Sequence, residues 1–232
     1  MTTDKNNQKK IGARTIKKQI SGFLLYPDFQ KTIDNICKFP EQQLIGPLFS
    51  HFYNKEELIR WRAVTIMGIV VSRIAESGNM ESARIVMRRL MWNLNDESGG
   101  IGWGSPEAMG EILSRNQALA REYHSILTSY VSEHGNFLEH EILQRGVLWG
   151  IGRLAHEQPD LIRHAAPDLI PFLKSHDPLH RGLAAWGCTA LKHPSADLPL
   201  RELADDNTKI KIFLNQELVE CSVSLLAAGQ EI

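Results

Sequence analysis

Three segments of this chain share one pattern, an Arg, then a small residue, then the apolar face of a helix: Arg62-Ala63-Val64, Arg145-Gly146-Val147 and Arg181-Gly182-Leu183. They lie 83 and 36 residues apart, which implies a unit of about 40 residues with one copy altered beyond recognition. A unit of this length holds helices that cannot bury their apolar faces alone and must stack on the next unit. Repetition therefore sets the fold, and function is to be sought where the repetition breaks. The break is residues 92–107, WNLNDESGGIGWGSPE.

The chain has 232 residues and 43% hydrophobic content, enough to bury a full core as one elongated domain or two small ones. A formal net charge of −1 argues against nucleic acid as a partner, because phosphate contacts need a basic excess. Cys37, Cys188 and Cys221 are widely spaced and form no CxxC pair. This speaks against a disulfide framework or a cysteine zinc site and fits a reducing compartment. Residues 1–10 are polar and lysine-containing with no apolar stretch behind them, so no secretory signal is expected. Apolar runs are interrupted before 18 residues, so no membrane span is expected either. The expected location is cytoplasmic.

Apolar periodicity predicts helices over residues 15–25, 28–37, 56–76, 80–94, 117–134 and 138–157, with another opening at Pro40. Gly78-Asn79 reads as a C-terminal cap. Ser105-Pro106-Glu107 reads as a helix start, with Ser105 as N-cap, Pro106 in the first helical position and an end near Asn116. After Pro199 the period changes. Lys209-Ile210-Lys211-Ile212 alternates as a strand does, Asn215-Gln216 can turn the chain, and 218–223 can run back into a helical turn at 224–228. An isolated hairpin is marginal in water, so this one should dock on the last repeat. The expected organisation is a disordered tail at 1–10, helical repeats over 11–195 with a Gly-rich insertion at 93–105, and a hairpin cap at 196–232.

The run Pro167-Asp168-Leu169-Ile170-Pro171-Phe172-Leu173-Lys174, then Asp177-Pro178 and Arg181-Gly182-Leu183-Ala184-Ala185, resembles a HEAT repeat. In that family a first helix with an apolar face leads through an Asp-Pro turn to a second helix with an early Arg and small residues. Residues 44–68 resemble the same plan, with Pro47 in place of Pro171 and Arg62 in place of Arg181, but without the Asp-Pro turn. Residues 119–152 fit it with longer helices and no Pro in the first. The resemblance covers about 40–193 and implies a mainly α fold, an α-α superhelix of the HEAT-like solenoid type, closed here by a small C-terminal β-hairpin.

In the stretch 92–107 four glycines (Gly99, Gly100, Gly102, Gly104) surround Trp103, and Asn93, Asn95, Asp96 and Glu97 precede it. Such a loop is costly to order unless its ordered form is used. Asn95, Asp96, Glu97, Trp103 and Glu107 are therefore candidate partner- or ligand-binding residues. Glu107 and Glu111 stand four residues apart on one helix face. Arg84 and Arg88 do the same on the preceding helix and are candidates for an anion patch beside the loop. Each has a structural reading as well: Asp96 and Glu97 as caps or ion-pair partners, Trp103 as a plug between repeats, the Arg pair as a solvated face partnered by Glu81. Arg62, Arg145 and Arg181 are expected to pair with acidic residues of neighbouring repeats. The glycines form neither a P-loop nor GxGxxG. His176 and His180 are separated by Pro178, and His140 and His156 are too far apart to share an ion, so no metal site, cofactor or catalytic residue is assigned. Trp61, Trp149 and Trp186 lie on second helices, where they either pack the core or line an aromatic groove.

These features point to a non-enzymatic scaffold that binds a protein partner through its concave face and the 92–107 loop. Two alternatives use the same loop: a small anionic-ligand sensor, and a HEAT-like enzyme similar to alkylpurine DNA glycosylases or bilin lyases. The charge balance counts against the glycosylase, and no Cys or His/Tyr constellation supports the lyase.

Overall fold

The computed structural model describes residues 13–95 and 102–230. Two helices open the chain, α1 (Ala13–Leu24) and α2 (Phe29–Ile36). Four stacked helix pairs follow: α3 (Glu41–His51) with α4 (Glu57–Glu76), α5 (Met80–Asn95) with α6 (Ser105–Arg115), α7 (Gln117–Ser129) with α8 (Glu141–Glu157), and α10 (Ala166–Leu173) with α11 (Pro178–Leu191). A short α9 (Pro159–Ile162) precedes the last pair. The short α12 (Asp197–Arg201), strands β1 (Lys209–Leu214) and β2 (Glu217–Ser222) and a final turn of helix, α13 (Val223–Ala227), close the chain. The helix over 117–134 ends early, at Ser129, because Tyr130 and Val131 turn into the core and Leu138 N–H donates to the Tyr130 carbonyl.

Helices α4, α6, α8 and α11 form a continuous inner ladder. Glycines set its spacing, since a side chain would collide with the next helix: Gly68 lies on Glu111, Gly110 on Gly150, Gly146 on Pro106 and Glu107, and Gly152 on Trp186. Backbones meeting at such positions pack closely and fix the register. Gly182 serves a different contact, making room for Ile210 of β1.

This register identifies the altered copy. Carried across from Gly68–Glu111 and Gly110–Gly150, it places Ser105 level with Arg62 and Arg145, and Glu107 level with Val64 and Val147. Helix α6 is the missing repeat, with Ser105-Pro106-Glu107 where the others have Arg, a small residue and an aliphatic one. Two repeated arginines pair with acids of the next unit, Arg145 with Asp177 at 2.6 Å and Arg181 with Asp206 at 2.7 Å. Arg62 turns the other way and donates to the carbonyls of Leu24 and Tyr26, both at 2.7 Å, tying α4 to the end of α1.

The hairpin runs antiparallel from Lys209↔Ser222 to Leu214↔Glu217. Its turn residues Asn215 and Gln216 both have positive φ (49° and 70°), as a two-residue turn matched to strand twist requires. Beyond covering α11, β1 crosses the inner ladder. Lys211 pairs with Glu57 of α4 at 3.1 Å, and the Phe213 carbonyl accepts from Trp149 Nε1 at 2.8 Å.

Candidate functional site

The strand β1 separates two cavities on the inner-helix face. The smaller, about 240 Å³, lies at the N-terminal ends of α4, α6, α8 and α11, where Trp61, Trp103 and Trp149 provide its aromatic wall. Trp61 stacks flat on Phe213 with 5.0 Å between centroids and meets Trp149 at 4.7 Å. Trp103 enters from the returning end of the Gly-rich stretch. Two glycines fasten that end: a side chain at Gly102 would strike the Asn93 carbonyl and Leu94, and one at Gly104 would strike Phe52. Gly104 also has φ 74° and is the N-cap of α6. Ser105, expected as the cap, is instead the first helical residue and lies buried with Asn93 Nδ2 3.4 Å from its hydroxyl.

Glu107 lines the same cavity. As a residue it keeps some exposed surface, but its carboxyl is enclosed: Oε2 has no accessible surface and no hydrogen-bond donor. Burial pushes this carboxyl up to about 7, against the opposing pull of its own backbone N–H and of the Arg60 charge. An orphaned buried acceptor costs about 1–3 kcal/mol. The other repeats avoid that cost with Val64 and Val147 at this level.

The cations around the cavity have other partners. Arg145 is held by Asp177, Lys211 by Glu57, and Arg60 Nη1 donates to the carbonyls of Asn54 at 2.9 Å and Lys55 at 3.4 Å.

The larger cavity, about 820 Å³, lies on the other side of β1 between Trp149, Trp186 and the hairpin turn. Glu111, which shares a helix face with Glu107, opens here. It is 3% exposed and held by Arg115 at 2.5 Å and Arg153 at 3.0 Å, and Arg153 also pairs with Glu157 at 2.7 Å. Four residues on α6 thus separate a carboxyl with one orphaned oxygen from one whose two oxygens are both paired with arginine. His156 stacks on Trp186 at 4.8 Å, and burial lowers its pKa.

The structure brings Trp103 and Glu107 together in one cavity and places the other candidates elsewhere. Arg84 makes a two-pronged contact with Glu122 of α7 at 2.7 and 2.8 Å, and Arg88 meets Glu81 at 2.6 Å, both on the outer α5 surface. Asn95 hydrogen-bonds the hydroxyl of Tyr130, whose burial raises its pKa to about 12. Asp96 and Glu97 lie outside the described residues. Sequence reasoning missed that Trp61, Trp149, Arg60, Arg145 and Lys211 line one cavity with Glu107. The available signal was the broken copy itself, a Glu where the repeat has Val.

Among the described residues no group of His, Cys, Asp and Glu is placed to hold a metal ion. No helix among them is long and apolar enough to cross a membrane.

Residues 141–191, covering α8 through α11, match the family described as HEAT-like repeat. The chain is 30% identical over 127 residues to an uncharacterized protein of Archaeoglobus fulgidus, a match covering 55% of this chain and 60% of the relative. The chain thus spans less than two thirds of that relative's length. Among solved structures it resembles a designed armadillo repeat protein (14% identity, 90% of this chain and 96% of the other, TM-score 0.48). It also resembles a computationally designed armadillo repeat protein made for modular peptide recognition (15%, 90% and 96%, TM-score 0.48). Its stacked helix pairs and the 141–191 match make this chain a helical-repeat solenoid with a HEAT-like repeat, capped by a two-stranded sheet.

Proposed function

We propose that this chain is a non-enzymatic interaction module that binds a segment of a protein partner through its inner-helix face and the 92–107 loop, at the cavity that Trp103 and Glu107 line. The observation that carries this reading is the enclosed Glu107 carboxyl, its Oε2 without a partner, in a cavity walled by three indoles where α6 departs from the aliphatic pattern of the repeat. Residues that break a repeat at a cost in stability fit selection for binding better than selection for packing. Large aromatic side chains around one pocket also suit an anchor site, since Trp is enriched among binding hot spots. The free thiols of Cys37, Cys188 and Cys221 support a reducing, cytoplasmic setting.

The test is affinity purification from native lysate, comparing wild type with a Trp103→Ala/Glu107→Gln double variant by mass spectrometry. Far-UV circular dichroism confirms that both are folded. The proposal expects a protein recovered by wild type and lost from the folded variant. Identical recoveries would refute it.

A further inference from the structure

Two buried side-chain polar atoms among the described residues have no hydrogen-bond partner, Arg62 Nε and Glu107 Oε2. They differ in kind. The Arg62 guanidinium is held through its other nitrogens by the Leu24 and Tyr26 carbonyls, whereas no cation pairs with the Glu107 carboxyl. Of the charged groups facing this cavity, Arg145 is neutralised by Asp177, and Lys211 and Glu57 neutralise each other. That leaves Arg60, tethered by two carbonyls, and Glu107.

What Glu107 Oε2 lacks is a donor, and the cavity wall beside it is indole. An ammonium or guanidinium head supplies both matches, N–H groups for Oε2 and a positive charge for the π-faces, of which Trp is the most attractive. A Lys or Arg also brings an apolar stem that packs along aromatic surface while its head finds the carboxylate. The backbone of Gly146 lies directly against the Glu107 carboxyl, which keeps this side of the cavity free of a competing side chain. We infer that the cavity is a receptor for the cationic head of one Lys or Arg side chain, presented by the partner segment. This rests on the interaction reading and sharpens it from a protein partner to a basic one. Arg60 opposes the cation through space, so Glu107 must be ionised for the head to bind. No His lines this cavity among the described residues, so a change between pH 6 and pH 8 reports Glu107.

The experiment titrates the full chain with pentapeptides acetyl-Gly-Gly-Xaa-Gly-Gly-amide, where Xaa is Lys, Arg, norleucine, citrulline or Glu, following tryptophan fluorescence at pH 6 and pH 8. The Lys and Arg peptides should shift the emission, and the norleucine, citrulline and Glu peptides should not. Binding should tighten on the order of tenfold from pH 6 to pH 8, because a carboxyl titrating at about 7 must release its proton first. Glu107→Gln should abolish both the preference and the pH dependence. Citrulline or norleucine binding as tightly as Arg or Lys, or a folded Glu107→Gln variant that keeps its Lys affinity, would overturn the cation assignment and leave the interaction reading standing. Absence of Lys and Arg binding at both pH values would also overturn the assignment, while the lysate comparison decides the broader reading separately.

Discussion

Replacing Glu107 by Gln keeps the shape of the side chain and removes its titration. In the wild type, burial raises this carboxyl from an ordinary 4.5 to about 7, so the folded state holds its proton more tightly than the unfolded chain does. The stability that follows is fully present below pH 4.5 and is lost as pH rises through 7, because ionising the group in the fold is harder than ionising it in water. At 1.36 kcal/mol per tenfold change in proton affinity, the loss when fully developed is about 3 kcal/mol, most of it between pH 5 and pH 8. The variant escapes it. Urea denaturation of both proteins at several pH values should show the stability of Glu107→Gln relative to wild type rising by about 2–3 kcal/mol from pH 5 to pH 8. Comparing the two proteins at each pH cancels the titrations they share. A difference that stays constant across this range would show that Glu107 is solvated or paired, and the reading of the cavity would fail with it.

Three further outcomes follow from the packing. Gly110→Ala forces a methyl into Gly150 and should destabilise by about 3 kcal/mol, whereas Gly22→Ala, on the exposed side of α1, should stabilise by about 0.5–1 kcal/mol; thermal melts distinguish them. Glu111→Gln leaves Arg115 and Arg153 without their shared buried carboxylate and should cost about 3 kcal/mol in urea denaturation. Asp177→Ala removes both the Arg145 partner and the N-cap that accepts from Leu179 N–H at 2.9 Å, and should cost about 1–2 kcal/mol, seen as a lower urea midpoint.

Much of the fold was legible because repetition writes it several times. The three Arg-small-aliphatic segments marked α4, α8 and α11, and the alternation at Lys209-Ile210-Lys211-Ile212 marked β1 despite the absence of glycine from its turn. The α6 copy was hidden because Arg marks the other three copies and α6 has Ser105 at that level. Only the contact of Gly110 with Gly150 and of Gly68 with Glu111 sets its register. The site was half legible. Trp103 and Glu107 stood out from local composition, but Trp61, Trp149 and Lys211 reach the cavity through packing between distant segments, which no spacing encodes. Arg84 and Arg88 share a helix face as the spacing required. Their charge, however, is engaged by Glu122, 38 residues onward, and by Glu81. Helical spacing shows which residues are neighbours on one element and says nothing of what the next element brings to them.

The most direct measurement of the central claim is site-specific photocrosslinking in native lysate, with p-benzoylphenylalanine placed at Trp103 in one sample and at Arg88 in another. If the cavity at the broken repeat receives a partner, the probe at 103 should yield a discrete crosslinked protein that the probe at 88 does not, and Glu107→Gln should abolish it. Equal crosslinking from both positions, or a discrete product from Arg88 alone, would place the interaction elsewhere on the solenoid.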